Sequence, residues 1–246
     1  GSISENGRTV NLSGGGTEVL YATSAVASDG SGGLNLITRR AGADTTNSLF
    51  NGGALMDANL GAGYFPFDDG WIGGTVSASG GGAFDTCYLN GMTAGNITQD
   101  EFGDGDNLVT IPGVTDTRHQ GILLASHAAN SNLYTLSTPT AGGDGFNLTT
   151  KANNTTGSAG TVGGAISFVF VPRNTPGLTM GRVHGGNSAP AASTAWDSGD
   201  AVTVVREGEA LYRLSIAGQS PSTGTLLLAG HGSNDGAGGR ARDNVV

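Results

Sequence analysis

Lysine is almost missing from this chain: Lys151 stands alone beside ten Arg, against fifteen Asp and five Glu (Glu5, Glu18, Glu101, Glu207 and Glu209). Phosphate backbones are bound by clustered Lys and Arg that displace counterions. Ten Arg scattered over 246 residues, at a net charge of −9, form no such cluster, which excludes nucleic acid as a partner. Long helices are excluded too. Glu and Lys are scarce, and no window of about eleven residues keeps an apolar stripe at i, i+3, i+4 and i+7 without a Gly breaking it. No apolar run approaches the roughly 18 residues of a spanning helix, so no membrane span is expected. Cys87 is the single Cys. It has no internal partner, which excludes a small scaffold stapled by disulfides.

Gly is abundant instead, at 45 residues. It follows no Gly-x-y period, so the chain is not collagen-like. Gly, Ser, Thr and Asn fall between short apolar runs, the pattern of many short strands joined by turns; a disordered chain would lack the apolar runs. The expected class is all-β with little or no helix. The length suits one large β domain or two small ones, either able to bury a core. An acidic, Lys-poor surface rich in Thr and Asn suits a protein kept soluble outside the cell or on its surface. The leading Gly1-Ser2 fits a cleaved signal peptide or a cloning scar. Sequons stand at Asn11, Asn96, Asn147, Asn153 and Asn154. In a chain this rich in Asn, Ser and Thr they carry little weight as glycosylation sites.

Three segments share a pattern: "LYATSAVASDGSGGLNL" (20–36), "LYTLSTPTAGGDGFNL" (133–148) and "LYRLSIAGQSPSTGTLLL" (211–228). Each opens Leu-Tyr-x-x-Ser, crosses a Gly-containing turn and closes on an apolar-x-Leu pair. Each also follows a short apolar strand: "TVNL" (9–12), "GILLAS" (121–126) and "AVTVV" (201–205). This reads as a three-stranded antiparallel meander written three times, with "REGE" (206–209) as the hairpin turn of the third. "FPFDDGWIGGTV" (65–76) and "VPRNTPGLTMGRV" (171–183) follow the first two copies, each with a Pro, a polar turn closed by Gly, and Gly-x-Val. Copy one plus an insertion at about 80–118 covers 1–119, copy two 120–200, and a truncated copy three 201–246; together they could form one compact domain. The insertion explains why copies one and two start further apart than copies two and three, and insertions are normally carried on surface loops. The expected fold is an antiparallel β-sandwich, jelly-roll-like and built from these meanders, with a solenoid or prism as the lesser arrangement. Within it, "AISFVFVP" (165–172) carries Ile166, Phe168 and Phe170 on one face and Val169 and Val171 on the other. A strand apolar on both faces belongs at the centre, and Pro172 ends it for want of an amide donor.

The densest acidic stretch is "QDEFGDGDN" (99–107). Calcium takes six to eight oxygens on a loop that can curl. Asp100, Glu101, Asp104 and Asp106, with Gly103 and Gly105 at the bends, meet that requirement by type but not by the twelve-residue spacing. The preferred reading is a solvated acidic turn, with calcium as the sole candidate cofactor. The turns "FDDGW", "SDGSGG", "GGDGF" and "SNDGAGG" are explained by the left-handed positions that tight turns need. His119 and His127 flank "GILLAS", about 26 Å apart along a continuous strand, and cannot share a metal. They and His184 and His231 read as lone surface residues. No Gly-x-Ser-x-Gly elbow is present. A glycosidase would need a carboxylate pair about 5 to 9.5 Å apart, from Asp68/Asp69 or the 100–106 cluster. Sugar clefts are lined by aromatics, and Trp71 and Trp196 are the two Trp available. Trp71 reads first as a core anchor and second as a stacking platform.

The function expected from these readings is an exported structural protein, a surface, fibre or matrix building block. It would self-assemble with itself or neighbouring surface proteins by strand addition, because the truncated third copy lacks a closing strand. Either "GSISENGRTVNL" or "RARDNVV" would pair with a neighbour. The alternatives are a carbohydrate-binding, adhesin-like module reading glycans through Trp71 or Trp196, and an enzyme acting on polysaccharide.

Overall fold

Short apolar runs punctuated by Gly and Asn become strands, and nothing longer than a single 3-10 turn interrupts them among the described residues. The computed structural model describes residues 10–11, 17–26, 34–41, 54–55, 64–79, 83–99, 106–127, 133–140, 142–152, 165–184, 193–197, 202–208, 211–220 and 222–224. The first strands are β1 (Val10–Asn11), β2 (Thr17–Val26), β3 (Leu34–Ala41), β4 (Ala54–Leu55), β5 (Ile72–Ser79) and β6 (Ala83–Asn90). β7 (Ile97–Gln99), β8 (Asp106–Val109), β9 (Gly121–His127), β10 (Leu133–Pro139) and β11 (Phe146–Ala152) follow. The last are β12 (Ala165–Pro172), β13 (Gly181–His184), β14 (Ser193–Asp197), β15 (Val202–Gly208) and β16 (Leu211–Ile216). All pairings are antiparallel. The sheets run β1-β2-β3-β4, β6-β5-β12-β9 and β10-β11-β8-β7, with the two ribbons β13-β14 and β15-β16. The protein is all-β.

β12 takes the central place its sequence demands. It pairs with β5 on one side and β9 on the other. Residues directly opposite in an antiparallel ladder share a face. Ile166, Phe168 and Phe170 therefore share a face with Val76 and Ile72 of β5 and with Leu123 and Ala125 of β9. This face joins Ile97, Val109, Ile111, Phe146 and Leu148 in one buried cluster, to which β7, β8 and β11 also contribute. Phe146 and Phe170 meet within it at a centroid distance of 6.0 Å. The opposite face of β12 buries Val169 and Val171 in a second cluster with Met180, against Phe65, Trp71, Ile122 and Leu124. Pro172 closes the strand, exposed.

Gly lets the strands of this sheet come close. A Cβ at Gly121 would lie 2.5 Å from Phe170 Cζ, and one at Gly74 would lie 2.5 Å from Leu89 Cδ2 and 2.6 Å from the Tyr88 carbonyl oxygen. The paired segments 65–76 and 171–183 do close their turns on Gly, at Gly70 (φ 81) and Gly177 (φ 77), in the left-handed region that Gly enters without strain.

The meander holds unevenly. Copy one is continuous, β1-β2-β3, with Val10 opposite Glu18 and Val26 opposite Leu34. Val10 and Asn11 thus pair within their own chain, which uses part of the N-terminal segment expected to reach a neighbour. Copy two is split. β10 and β11 form the expected hairpin, from Leu133 opposite Ala152 to Pro139 opposite Phe146. β9, however, pairs with β12 in another sheet. The reason is the two-faced apolar strand β12, which needs a neighbour on each side, and β9 fills one of them. What joins β9 to β10 is the Ser137 hydroxyl, which donates to the Leu123 carbonyl at 2.5 Å. In copy three β15 and β16 form a hairpin with an irregularity between Arg206 and Gly208; "TLLL" (225–228) lies outside the described residues. The stretch near 80–118, expected as a surface insertion, instead supplies β6, β7 and β8 and the core residues Ile97, Val109 and Ile111.

Candidate functional site

The acidic stretch begins at the end of β7 and finishes inside β8. These two strands are antiparallel neighbours, with Ile97 opposite Val109 and Gln99 opposite Asn107. Asp100, Glu101 and Asp104 lie outside the described residues; Asp106 is the first residue of β8, opposite Thr149. Asn107, which closes the motif, is buried. Among the described residues its side-chain nitrogen has no hydrogen-bond partner. Among the described residues no three His, Cys, Asp or Glu come together as a metal-binding group.

Trp71 is a packing residue. Its ring meets Phe65 edge-on, centroids 5.2 Å apart at 82°, against the Val169–Val171 face. The backbone before it is fixed by Asn90, whose amide donates to the Trp71 carbonyl at 2.7 Å and the Phe67 carbonyl at 3.2 Å. Asp68 and Asp69 form the first turn of the 3-10 segment Phe67–Asp69, fully on the surface. Trp196 stands in β14 opposite Arg182; its side chain lies outside the described residues. The two Trp are therefore not seen to share a site. Arg182 is half-buried, and desolvation lowers its pKa from the ordinary value.

The four His separate. His119 is exposed and its Nδ1 sits 2.8 Å from Asp116 Oδ2. That hydrogen bond, first among its causes, lowers the Asp116 pKa. The loop around them is tightly tied: Gln120 Oε1 accepts from the Thr115 and Asp116 amides at 2.8 and 2.7 Å, and Asp116 Oδ1 accepts from the Arg118 amide. Arg118 Nε donates to the Thr140 carbonyl. An oriented imidazole is half of a base-and-nucleophile set. Among the described residues no Ser, Thr or Cys hydrogen-bonds to His119. His127 corrects the surface reading: it is fully buried. It stands opposite Ile166, on the face shared with Leu123 and Ala125, and burial pulls its pKa down from 6.5 to about 4. His184 ends β13, and His231 lies outside the described residues.

One constellation had no sequence signal. On the face of the second sheet that also carries Val169 and Val171, ladder register places Tyr88 opposite Thr75, Thr75 opposite Ser167, and Ser167 opposite Ser126. Four strands thus bring four hydroxyl-bearing residues into a single row. Thr75 Oγ1 and Ser167 Oγ are hydrogen-bonded at 3.0 Å. Tyr88 at the end of the row is 66% exposed. The row exists because the register shifts between Thr75 and Val76, which turns Tyr88 outward; strict alternation along β6 does not foretell such an irregularity.

No family model, no curated protein and no solved structure matches the chain.

Proposed function

We propose that this chain is an exported structural protein, a surface, fibre or matrix building block whose copies join by strand addition. One observation carries the reading. The ribbon β15-β16 has two strands, and among the described residues β16 has no ladder partner besides β15. A two-stranded ribbon is marginal on its own. The edge of β16 away from β15 carries N–H and C=O groups able to pair with another chain, and strand addition satisfies such an edge with backbone hydrogen bonds. If the added strand repeats head to tail without closing, the product is a filament. Val205, 47% exposed on β15, leaves apolar surface for an incoming strand to cover. The shared cluster between the β6-β5-β12-β9 and β10-β11-β8-β7 sheets supports the sandwich architecture within which such a ribbon would sit.

Sedimentation of the protein over a wide concentration range tests the proposal, with Val205→Lys as the blocking variant. A charge on a pairing edge is a standard defence against strand addition. Concentration-dependent assemblies lost in Val205→Lys, at an unchanged circular dichroism spectrum, are the expected result. A wild-type protein monomeric at every concentration, or assemblies indifferent to the substitution, would reject it.

A further inference from the structure

We infer a second activity on a different surface: the row Tyr88, Thr75, Ser167 and Ser126 binds a neutral, hydroxyl-rich polysaccharide strand laid across the sheet. Adjacent strands are 4.7–4.9 Å apart, so the row presents one hydroxyl-bearing residue per strand over about 14 Å, with the Thr75 and Ser167 hydroxyls drawn together to 3.0 Å. That is a linear array with donors and acceptors in alternation, since each hydroxyl can play either part. Thr75 Oγ1 and Ser167 Oγ already use one bond on each other, which fixes their orientation and leaves remaining lone pairs for a ligand.

Tyr88 supplies the other half of sugar recognition, a flat ring with a polar tip presented to solvent. Trp71, the platform suggested by the sequence, is engaged with Phe65 and the second cluster instead. The row is bounded on one side by that cluster, where Val169 and Leu124 hold the next ladder positions on the same face. The site is thus a strip of hydroxyl-bearing residues with an exposed aromatic ring at one end, matched to a sugar chain with one polar edge and one C–H face.

Charge selects among sugars. The row holds no Asp, Glu, Lys, Arg or His, and the chain carries a net charge of −9. Uronic-acid and sulfated polymers are repelled and find no cation in the row to pair with. Neutral chains meet no such penalty.

Isothermal titration of the full chain with cellohexaose, xylohexaose, mannohexaose and chitohexaose, beside polygalacturonate and heparin, tests this. Binding of at least one neutral hexasaccharide, and neither polyanion, is expected. Tyr88→Ala should weaken that binding by about tenfold, the scale of a lost aromatic stack. Thr75→Val, which keeps the shape and removes the hydroxyl, should weaken it by about threefold or more. Should Tyr88→Ala not fold, Tyr88→Leu serves in its place. No binding of any neutral sugar, equal binding of the polyanions, or wild-type affinity in the Tyr88 and Thr75 variants each overturns the inference. The readout is ligand binding by the dissolved chain, so it stands or falls separately from assembly.

Discussion

His127 makes the fold sensitive to acid, and the size of the effect follows from its position. The ring is fully buried, opposite Ile166 and on the face of Leu123 and Ala125. Desolvation lowers its pKa from 6.5 to about 4. The unfolded chain therefore takes up a proton as pH drops through 6.5, while the folded chain refuses it until about 4. Between these values the unfolded state holds more protons, so stability falls as pH falls. Below the folded value both states are protonated and the loss levels off. At about 1.4 kcal/mol per unit, the full shift is worth roughly 3 kcal/mol. That is a large part of the 5–15 kcal/mol that holds an ordinary domain together. Carboxylates also protonate over this range, so the His127 share is read as a difference. Urea denaturation of wild type and His127→Leu at steps between about pH 7.5 and about pH 4 gives two stability curves. The wild-type curve should fall more steeply, by roughly 3 kcal/mol in total. Parallel curves would refute the reasoning, and so would an imidazole that titrates near its ordinary value in the folded protein by NMR.

Two further outcomes follow from packing and hydrogen bonding. Gly121→Ala places a Cβ 2.5 Å from Phe170 Cζ and the Val171 carbonyl oxygen, so it should destabilise by about 1–3 kcal/mol in urea denaturation. Asp116 should titrate below its ordinary value by NMR, and His119→Ala should move it back up, because the His119 hydrogen bond is the first cause of the shift. Being exposed, this pair should leave the urea midpoint nearly unchanged.

Strand positions were legible where the physics is local. The two-faced apolar pattern of 165–172 declared a central strand, and the ladder places β12 between β5 and β9. The polar turns ending at Gly70 and Gly177 were legible because left-handed backbone selects Gly. Partner choice was not legible. "GILLAS" precedes a Leu-Tyr segment in sequence and was assigned to it, but β12 needed two flanks and took β9. The same blindness hid the burial of His127, since a polar residue at a strand end looks exposed until the opposing sheet is known. Residues from about 80 to 118 read as an excess over a repeat, though Ile97, Val109 and Ile111 help build the main core. As for the sites, Trp71 was legible as a packing residue, whereas the hydroxyl row depends on four strands and one register shift.

Negative-stain imaging of concentrated native protein bears most directly on the claim that this chain is a building block. Ordered fibres or sheets, absent from Val205→Lys, are the result expected from strand addition at the ribbon β15-β16. A field of single, uniform, monomer-sized particles under every condition would contradict it.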